Sequence, residues 1–246
     1  MEEQVEPVQH FNLISSICVE DPDTWKGREF VSFDVDWAHD TVLEYCIDIV
    51  EKSGICATWF ITHDTPLLER LRANSKFELG VHPNFNGLLD GSRKNGDRAK
   101  DIIDGIKAIV PEAKSIRSHS LVSSERLIDS FHDAGLTHVS NTFIPQSTTA
   151  LSPWRLWSDM TMVPHCWQDN VSMRLNGTLK PPLTENASSI MVYDFHPIHI
   201  YLNTDSMKTY EDAREHFYNM DELRKRRNDS EFGSEDALKK VLGRQQ

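Results

Sequence analysis

Four short stretches of this chain bring polar, titratable residues to the end of apolar runs, and their types are those of metal-assisted hydrolysis. The first is Phe30-Val31-Ser32-Phe33-Asp34-Val35-Asp36-Trp37. In a strand alternate side chains share a face, so Asp34 and Asp36 point together while Val31, Phe33 and Val35 point the other way. Two crowded carboxylates repel each other unless a cation or a shared proton sits between them. The same spacing joins Arg117 to His119 and Asp194 to His196, and Glu78 and His82 fall on one face around Gly80. A carboxylate and imidazoles with one position open to water make the usual catalytic zinc arrangement. A bound cation lowers the pKa of its water toward about 7 and polarises a carbonyl. A second carboxylate can then act as base, and a histidine across the pocket as acid for a leaving amine. Any one pair alone could be a solvated strand end; the convergence of four sets argues for a site.

The elements that must carry these residues alternate along the chain. A helical stripe through Val42, Leu43, Cys46, Ile49 and Val50 follows the Asp34 strand, and Ile55-Cys56-Ala57-Thr58-Trp59-Phe60-Ile61 reads as a buried strand. Asp64-Thr65-Pro66 opens a helix into Leu67–Leu71, and Phe77–His82 is a third strand, stopped by Pro83. Ala99, Ile102, Ile103, Ile106, Ile109 and Val110 repeat the helical stripe, and Ser115–His119 is a short strand. Ser123 caps a helix through Leu127, Ile128 and Phe131, closed by Gly135. Further strands are expected at 137–144, 160–165 and Ile190–His196. Strict β-then-α order predicts an α/β fold, a parallel sheet covered by helices and either open or closed into a barrel. In such a sheet the C-terminal strand ends share one side. Asp34, Asp36, His82, Arg117, His119, Asp194 and His196 therefore meet at one mouth.

Residues 144–189, rich in Pro, Ser, Thr and Trp, read as long loops. Trp167, beside Asp169, is the expected stacking surface for a ligand, while mid-strand Trp59 reads as core. His199 and Asp194 are expected to face the substrate, and His39 and His63 follow strand ends near the rim. From about Thr209 the chain is charged and helix-forming, with Arg224-Lys225-Arg226-Arg227 as a solvated helix end and the last residues frayed.

The chain has 246 residues and a formal net charge of −12, which argues against nucleic-acid or anionic-membrane partners. It says nothing about a small neutral substrate. Oligomeric state is not legible. No apolar run reaches the length of a membrane span, and the acidic start Met1-Glu2-Glu3 lacks the features of a signal peptide. Cys18, Cys46, Cys56 and Cys166 form no C-x-x-C pair and read as reduced. A cytoplasmic location is the expectation.

At these residues the chain resembles the polysaccharide deacetylases of the NodB-homology group, the family 4 carbohydrate esterases. Ser32-Phe33-Asp34-Val35-Asp36 is similar to their first motif, which implies Asp34 as catalytic base and Asp36 as metal ligand. Gly80-Val81-His82-Pro83-Asn84-Phe85-Asn86 resembles the second, H-[ST]-x-x-H, with His82 as a metal histidine and Asn86 where the second histidine belongs. The third metal ligand is then Asn86 or His119. Arg117-Ser118-His119-Ser120 stands where R-x-P-Y belongs, implying that Arg117 orients the base. Phe195-His196-Pro197 resembles the last motif, implying His196 as general acid, and Trp167-Gln168-Asp169 the one before it, whose Asp supports that histidine. The resemblance covers about residues 28–203 and is nearest to the WbmS-like branch, with its G-V-H-P-N-F, R-S-H-S and F-H-P-I-H-I patterns.

The resemblance implies a single domain with a distorted (β/α) barrel of about seven parallel strands and a charged helical C-terminal segment from about residue 207. It also implies a divalent metal, zinc above all, and hydrolysis of an acyl amide on an amino sugar, here a soluble glycan precursor. Two other classes stay open. A metal-free C–N hydrolase of a small cyclic amide or ureide would retain activity when stripped of metal. A non-catalytic sugar-binding relative would have no need of a base, its arginine and an acid.

Overall fold

A computed structural model describes residues 11–92, 98–145, 150–176, 179–182 and 188–243. The acidic start of the chain, the last three residues and parts of the 144–189 stretch lie outside these. The first apolar run forms β1 (Glu29–Asp34), followed by α1 (Asp40–Ser53), β2 (Ala57–Ile61), α2 (Leu67–Ala73) and β3 (Phe77–Val81). His39 caps α1 by accepting a hydrogen bond from Thr41 N, and Gly54 closes it in the left-handed region, at φ 67°. Then come α3 (Asn86–Leu89), α4 (Ala99–Ile109), β4 (Ser115–Ile116), α5 (Glu125–Asp133) and β5 (His138–Phe143). The remainder comprises β6 (Trp154–Arg155), β7 (Thr161–His165), β8 (Trp167–Gln168), α6 (Asp169–Asn176), β9 (Met191–Phe195), α7 (Pro197–Leu202), α8 (Met207–Ala213), α9 (Met220–Arg224) and α10 (Ser234–Leu242).

The strands run in the order β6-β7-β5-β4-β3-β2-β1-β9-β8, and every pairing is parallel except that of β6 with β7. Residues 161–168 join the two ends of this order. Their first half, β7, pairs with β5, Cys166 N donates to Val192 O at 3.0 Å, and their second half, β8, pairs with β9. The parallel strands thus curl into a barrel of seven, with β7 and β8 counted as one interrupted strand, as the family resemblance implies.

Register explains what fills it. Ser32 pairs with Thr58 and Asp194, Thr58 with Glu78, Asp34 with Phe60, and Phe60 with Gly80, so these side chains share the inner face. Phe33, Trp59 and Phe195 lie on the other face, where Phe33 stacks on Trp59 at 4.2 Å, beneath the helices. The interior is consequently polar: Glu78 accepts from Thr58 and Ser115 near the N-terminal strand ends, and Arg117 lies deeper toward the opposite mouth. Glycine at position 80 makes room for Phe60, because a Cβ there would lie 2.6 Å from the Phe60 ring and 2.7 Å from Ser115 Oγ. Residues 14–17 close the N-terminal mouth, Ile14 N donating to Thr58 Oγ1, Ser15 N to Glu78, and the Ile17 carbonyl meeting the His138 ring.

Two sequence expectations change. The stretch 144–189 is not loop throughout, since it contains β6, β8 and α6 besides the expected β7. The end of the chain does not fray up to residue 242 either, nor is Arg227 part of a solvated helix end. Ala237, Leu238, Val241 and Leu242 of α10 are buried in the main core, and Arg227 bonds the Tyr201 carbonyl and Glu235 rather than standing in solvent. Among the described residues no helix is long and apolar enough to cross a membrane.

Candidate active site

Every strand end of interest opens on the C-terminal mouth, and the geometry is built around Arg117. Its guanidinium is fully buried, with Nη1 donating to Asp34 Oδ1 at 3.0 Å, Asp194 Oδ1 at 2.5 Å and Ser32 Oγ at 2.9 Å. Nε donates to the Ser140 carbonyl and Nη2 to Ser140 Oγ, while the group lies 4.6 Å over the Phe60 ring. These contacts come from β1, β2, β5 and β9, so the side chain spans the barrel interior. It fixes one oxygen of Asp34 and leaves Oδ2 free to face His196.

Asp36 stands just past the end of β1 with Asp36 and Trp37 both in the left-handed region, at φ 47° and 54°. Such backbone is costly for residues with a Cβ and persists where surroundings over-determine it. Here Val35 N donates to the Phe60 carbonyl and Trp37 N to Thr62 Oγ1. The result turns Asp36 Oδ1 to within 2.9 Å of His119 Nδ1 and 3.1 Å of His82 Nε2. His119 is held by a second left-handed turn, through Ser120 and Leu121 at φ 58° and 56°, and by its own N–H on the Pro83 carbonyl. Burial alone would raise the Asp36 pKa, but the His119 hydrogen bond and the His82 and His196 rings hold it well below the carboxylate range. Against its own burial, the same carboxylate raises His119.

On the opposite side His196 follows β9. Its Nδ1 meets Asp169 Oδ1 at 2.7 Å and its backbone N–H donates to Asp169 Oδ2 at 2.9 Å. Nε2 therefore points into the mouth, 4.0 Å from Asp34 Oδ2 and 3.7 Å from Asp36 Oδ2. Burial opposes charge on this ring, yet Asp169 raises its pKa well above the imidazole value. Burial tends to raise Asp169, and His196 with His199 lowers it. The pair is held as carboxylate and imidazolium.

The donor set fits a divalent cation. Asp36, His82 and His119 bring their candidate ligand atoms within 4.8 Å of one another. Both His82 ring nitrogens are buried without a hydrogen-bond partner, although Nε2 lies so near Asp36. An unsatisfied buried polar atom costs about 1–3 kcal/mol, which a coordinated ion at Nε2 would remove. Two further acid–histidine groupings, Asp169 with His196 and His199, and Asp34 with Asp194 and His196, are equally compact. Their carboxylates are already committed to His196 or Arg117, so they suit proton handling better.

Of the two alternatives for a third ligand, His119 stands beside Asp36, while the Asn86 amide nitrogen donates to Ser120 Oγ at 3.1 Å. Three expectations are corrected. Trp167 is only 4% exposed and packs on Phe195 at 4.8 Å, because it sits in β8 rather than a loop, and so presents no face to a sugar. Asp194 is fully buried beneath Arg117, where burial and the neighbouring Asp34 charge push its pKa up; it cannot touch substrate. The Ser115–His119 strand is two residues long, and Arg117 and His119 reach the site from the irregular chain after it.

His199 does line the mouth, with burial lowering its pKa to about 4. The mouth is a cavity of about 360 Å³ reached by Asp36, His119, His196 and His39, the last among the rim residues read from sequence. Sequence reasoning missed the rest of its wall, formed by Asn170 and Arg174 of α6 and by Met207, Tyr210, Arg214 and Phe217 of the C-terminal segment. Only the position of Arg174, five residues after the motif Asp169, offered a signal.

The WbmS-like polysaccharide deacetylase family model matches residues 31–214. A crystal structure from Bordetella bronchiseptica, described as a candidate polysaccharide deacetylase involved in O-antigen biosynthesis (WbmS), is 42% identical. It superposes with a TM-score of 0.91 over 97% of this chain and 99% of that one. Two solved structures lie further off, each 14% identical. A peptidoglycan N-acetylglucosamine deacetylase gives a TM-score of 0.46 over 89% of this chain and 82% of its own. The 4-alpha-glucanotransferase of Thermococcus litoralis gives 0.43 over 76% and 36%. No curated protein matches. With the family matched across most of its length and a relative of the same fold at 42% identity, the chain belongs to the WbmS-like polysaccharide deacetylases, hydrolases of C–N amide bonds.

Proposed function

We propose that this protein removes an acyl group, acetyl or similar, from an amino sugar in a cytoplasmic precursor of a surface glycan, with the help of a divalent cation, zinc by the chemistry of the ligands. The observation that carries the reading is the division of the mouth. A base held by Arg117 and a ligand-like trio of Asp36, His82 and His119 face an acid held by Asp169, with His196 Nε2 about 4 Å from both Asp34 and Asp36. The B. bronchiseptica relative, described as acting in O-antigen biosynthesis, supports the glycan class. Four free cysteines are in keeping with a reducing compartment.

Asp36, His82 and His119 would hold the cation, which when bound supplies Lewis acidity toward a carbonyl oxygen and toward water. The protein's own part is proton management. Asp34 Oδ1 is fixed on Arg117, which leaves Oδ2, on the His196 side, to accept the proton of the attacking water. His196, charged through Asp169, offers the Nε2 proton to the amine as the C–N bond breaks. Splitting the roles between two environments, one carboxylate beside a guanidinium and one imidazole beside a carboxylate, gives base and acid at the same pH.

Elemental analysis of the purified protein should find one divalent ion per chain, and a chelator should abolish amine release from N-acetylated amino sugars until zinc is restored. Asp36→Ala and His119→Ala should lose the ion, whereas Asn86→Ala keeps it. Full activity in metal-free protein would overturn the metal assignment, and no amine release from any acylated amino sugar would overturn the reaction.

A further inference from the structure

The walls of the cavity carry a charge opposite to that of the molecule. Overall the chain has a formal net charge of −12. Among the described residues the ionisable side chains lining the cavity, besides Tyr210 and Tyr218, are two arginines, four histidines and one carboxylate, Asp36, which already faces His119 and His82. The two guanidinium groups come from different elements. Arg174 sits in α6, one turn and a half beyond Asp169, and Arg214 follows α8. Arg174 has no carboxylate or hydrogen-bond acceptor as partner among the described residues, and Arg214 has only Glu211, 3.4 Å away in the same exposed turn. Neither is consumed by the fold. Both line the cavity that His119 and His196 enter, so a group they bind would belong to the same molecule as the reacting amide.

From this we infer that Arg174 and Arg214 form an anion subsite, and that the amino sugar deacylated here carries a carboxylate or a phosphate. The inference rests on the deacylase reading and names its substrate class. Guanidinium groups suit both anions, because their planar fork pairs two donors with two oxygens. Two such groups at the cavity wall also raise the local concentration of anionic substrate against the repulsion of an acidic protein. Asn170 lines the same cavity with its buried side-chain oxygen unpartnered, an acceptor for a sugar hydroxyl beside the charged group. A cavity of about 360 Å³ is the size of a small-molecule site, suited to one charged sugar unit.

The test is calorimetric binding of three probes to the whole chain: N-acetylglucosamine, its 1-phosphate and its 6-carboxylate, the uronic acid. At low salt one or both anionic probes should bind about tenfold or more tighter than the neutral sugar, the return expected of a charge-assisted hydrogen bond. Arg174→Ala and Arg214→Ala should each remove most of that preference, and Arg174→Lys should restore part of it. Lys100→Ala, on the surface of α4, should leave it intact. Preference for the phosphate assigns an activated sugar precursor, and preference for the carboxylate assigns a uronic-acid unit. Equal affinity for all three probes, or a preference that survives the double Arg174→Ala/Arg214→Ala variant, overturns the subsite. Because binding is read directly, an enzyme that binds the anions but releases no amine would sink the deacylase reading and leave the subsite standing.

Discussion

Two carboxylates two residues apart are held in different electrostatic settings, and the setting assigns the work. Asp34 lies on a guanidinium shared with Asp194, so its charge is anchored from behind and its other oxygen faces His196. Asp36 lies among imidazoles. Asp34→Asn keeps the shape and removes the base, and steady-state kinetics should show a loss of about 10²–10⁴ in kcat with KM little moved. Arg117→Lys should cost nearly as much, because an ammonium cannot reach Asp34, Asp194 and the Ser140 carbonyl at once. The acid side has a pH signature. His196 is raised by Asp169, so its proton persists above the ordinary imidazole range and is lost only as pH climbs through the raised value. Asp169→Asn removes the cause, and the alkaline limb of the kcat profile should move to lower pH. The linked stability has the same sign. The Asp169–His196 pair stabilises the fold most at pH below the unfolded imidazole pKa, and loses that contribution as pH rises through the folded one. An alkaline limb that stays in place in Asp169→Asn would remove His196 from the role of acid.

Among the elements, the strands and helices of the first half could be read from apolar periodicity because each buries a continuous face, as β1, β2 and β3 do against α1 and α2. The convergence of Asp34, Asp36, His82 and His196 on one mouth was legible because each ends or directly follows a parallel strand, but the aim of Asp36 was not, since left-handed backbone beyond β1 sets it. Asn86 against His119 was not legible. It turns on the left-handed backbone at Ser120 and Leu121, which leaves no mark in side chains that are neither glycine nor asparagine. Trp167 was misread because β8 is two residues long, too short for periodicity to separate strand from loop. The docking of α10 escaped for another reason: its polar cap contacts lie far away in sequence. Asn203, at φ 46° after α7, accepts from Glu235 N and Asp236 N and donates to Asp236 Oδ2. It works as an N-cap supplied by another helix. Asn203→Ala should lower stability by about 1–2 kcal/mol, the cost of a lost cap, and more for the strained φ, as a fall in denaturation midpoint. Gly233→Ala should be worse, since its Cβ would fall 2.0 Å from the Asn203 carbonyl oxygen, and backbone cannot yield as a side chain does.

For the whole molecule, the C-terminal segment does two separable things. Residues 207–218 wall the cavity through Met207, Tyr210, Arg214 and Phe217, while α10 covers the barrel through Ala237, Leu238, Val241 and Leu242. The link between them is α7, which starts immediately after His196, carries Tyr201 and ends at Asn203, the partners of Arg227 and of the α10 N-terminus. Burial of each large apolar side chain contributes about 1.5–3 kcal/mol, so the Leu238, Val241 and Leu242 contacts are together comparable with the whole stability of a domain. A chain ending at Glu231 keeps every catalytic residue and every cavity wall, and loses only α10. It should melt well below the full chain, yet while folded at low temperature it should bind the metal with the same stoichiometry, because Asp36, His82 and His119 follow β1, β3 and β4 and take none of their hydrogen bonds from α10. Its kcat should fall more than its KM rises, since the element released is the one that seats His196, not the arginines of the wall. Melting curves and kinetics on the two lengths measure both effects. An unchanged melting temperature would mean that the α10 contacts contribute nothing to stability, and a KM effect larger than the kcat effect would place α7 in substrate binding instead.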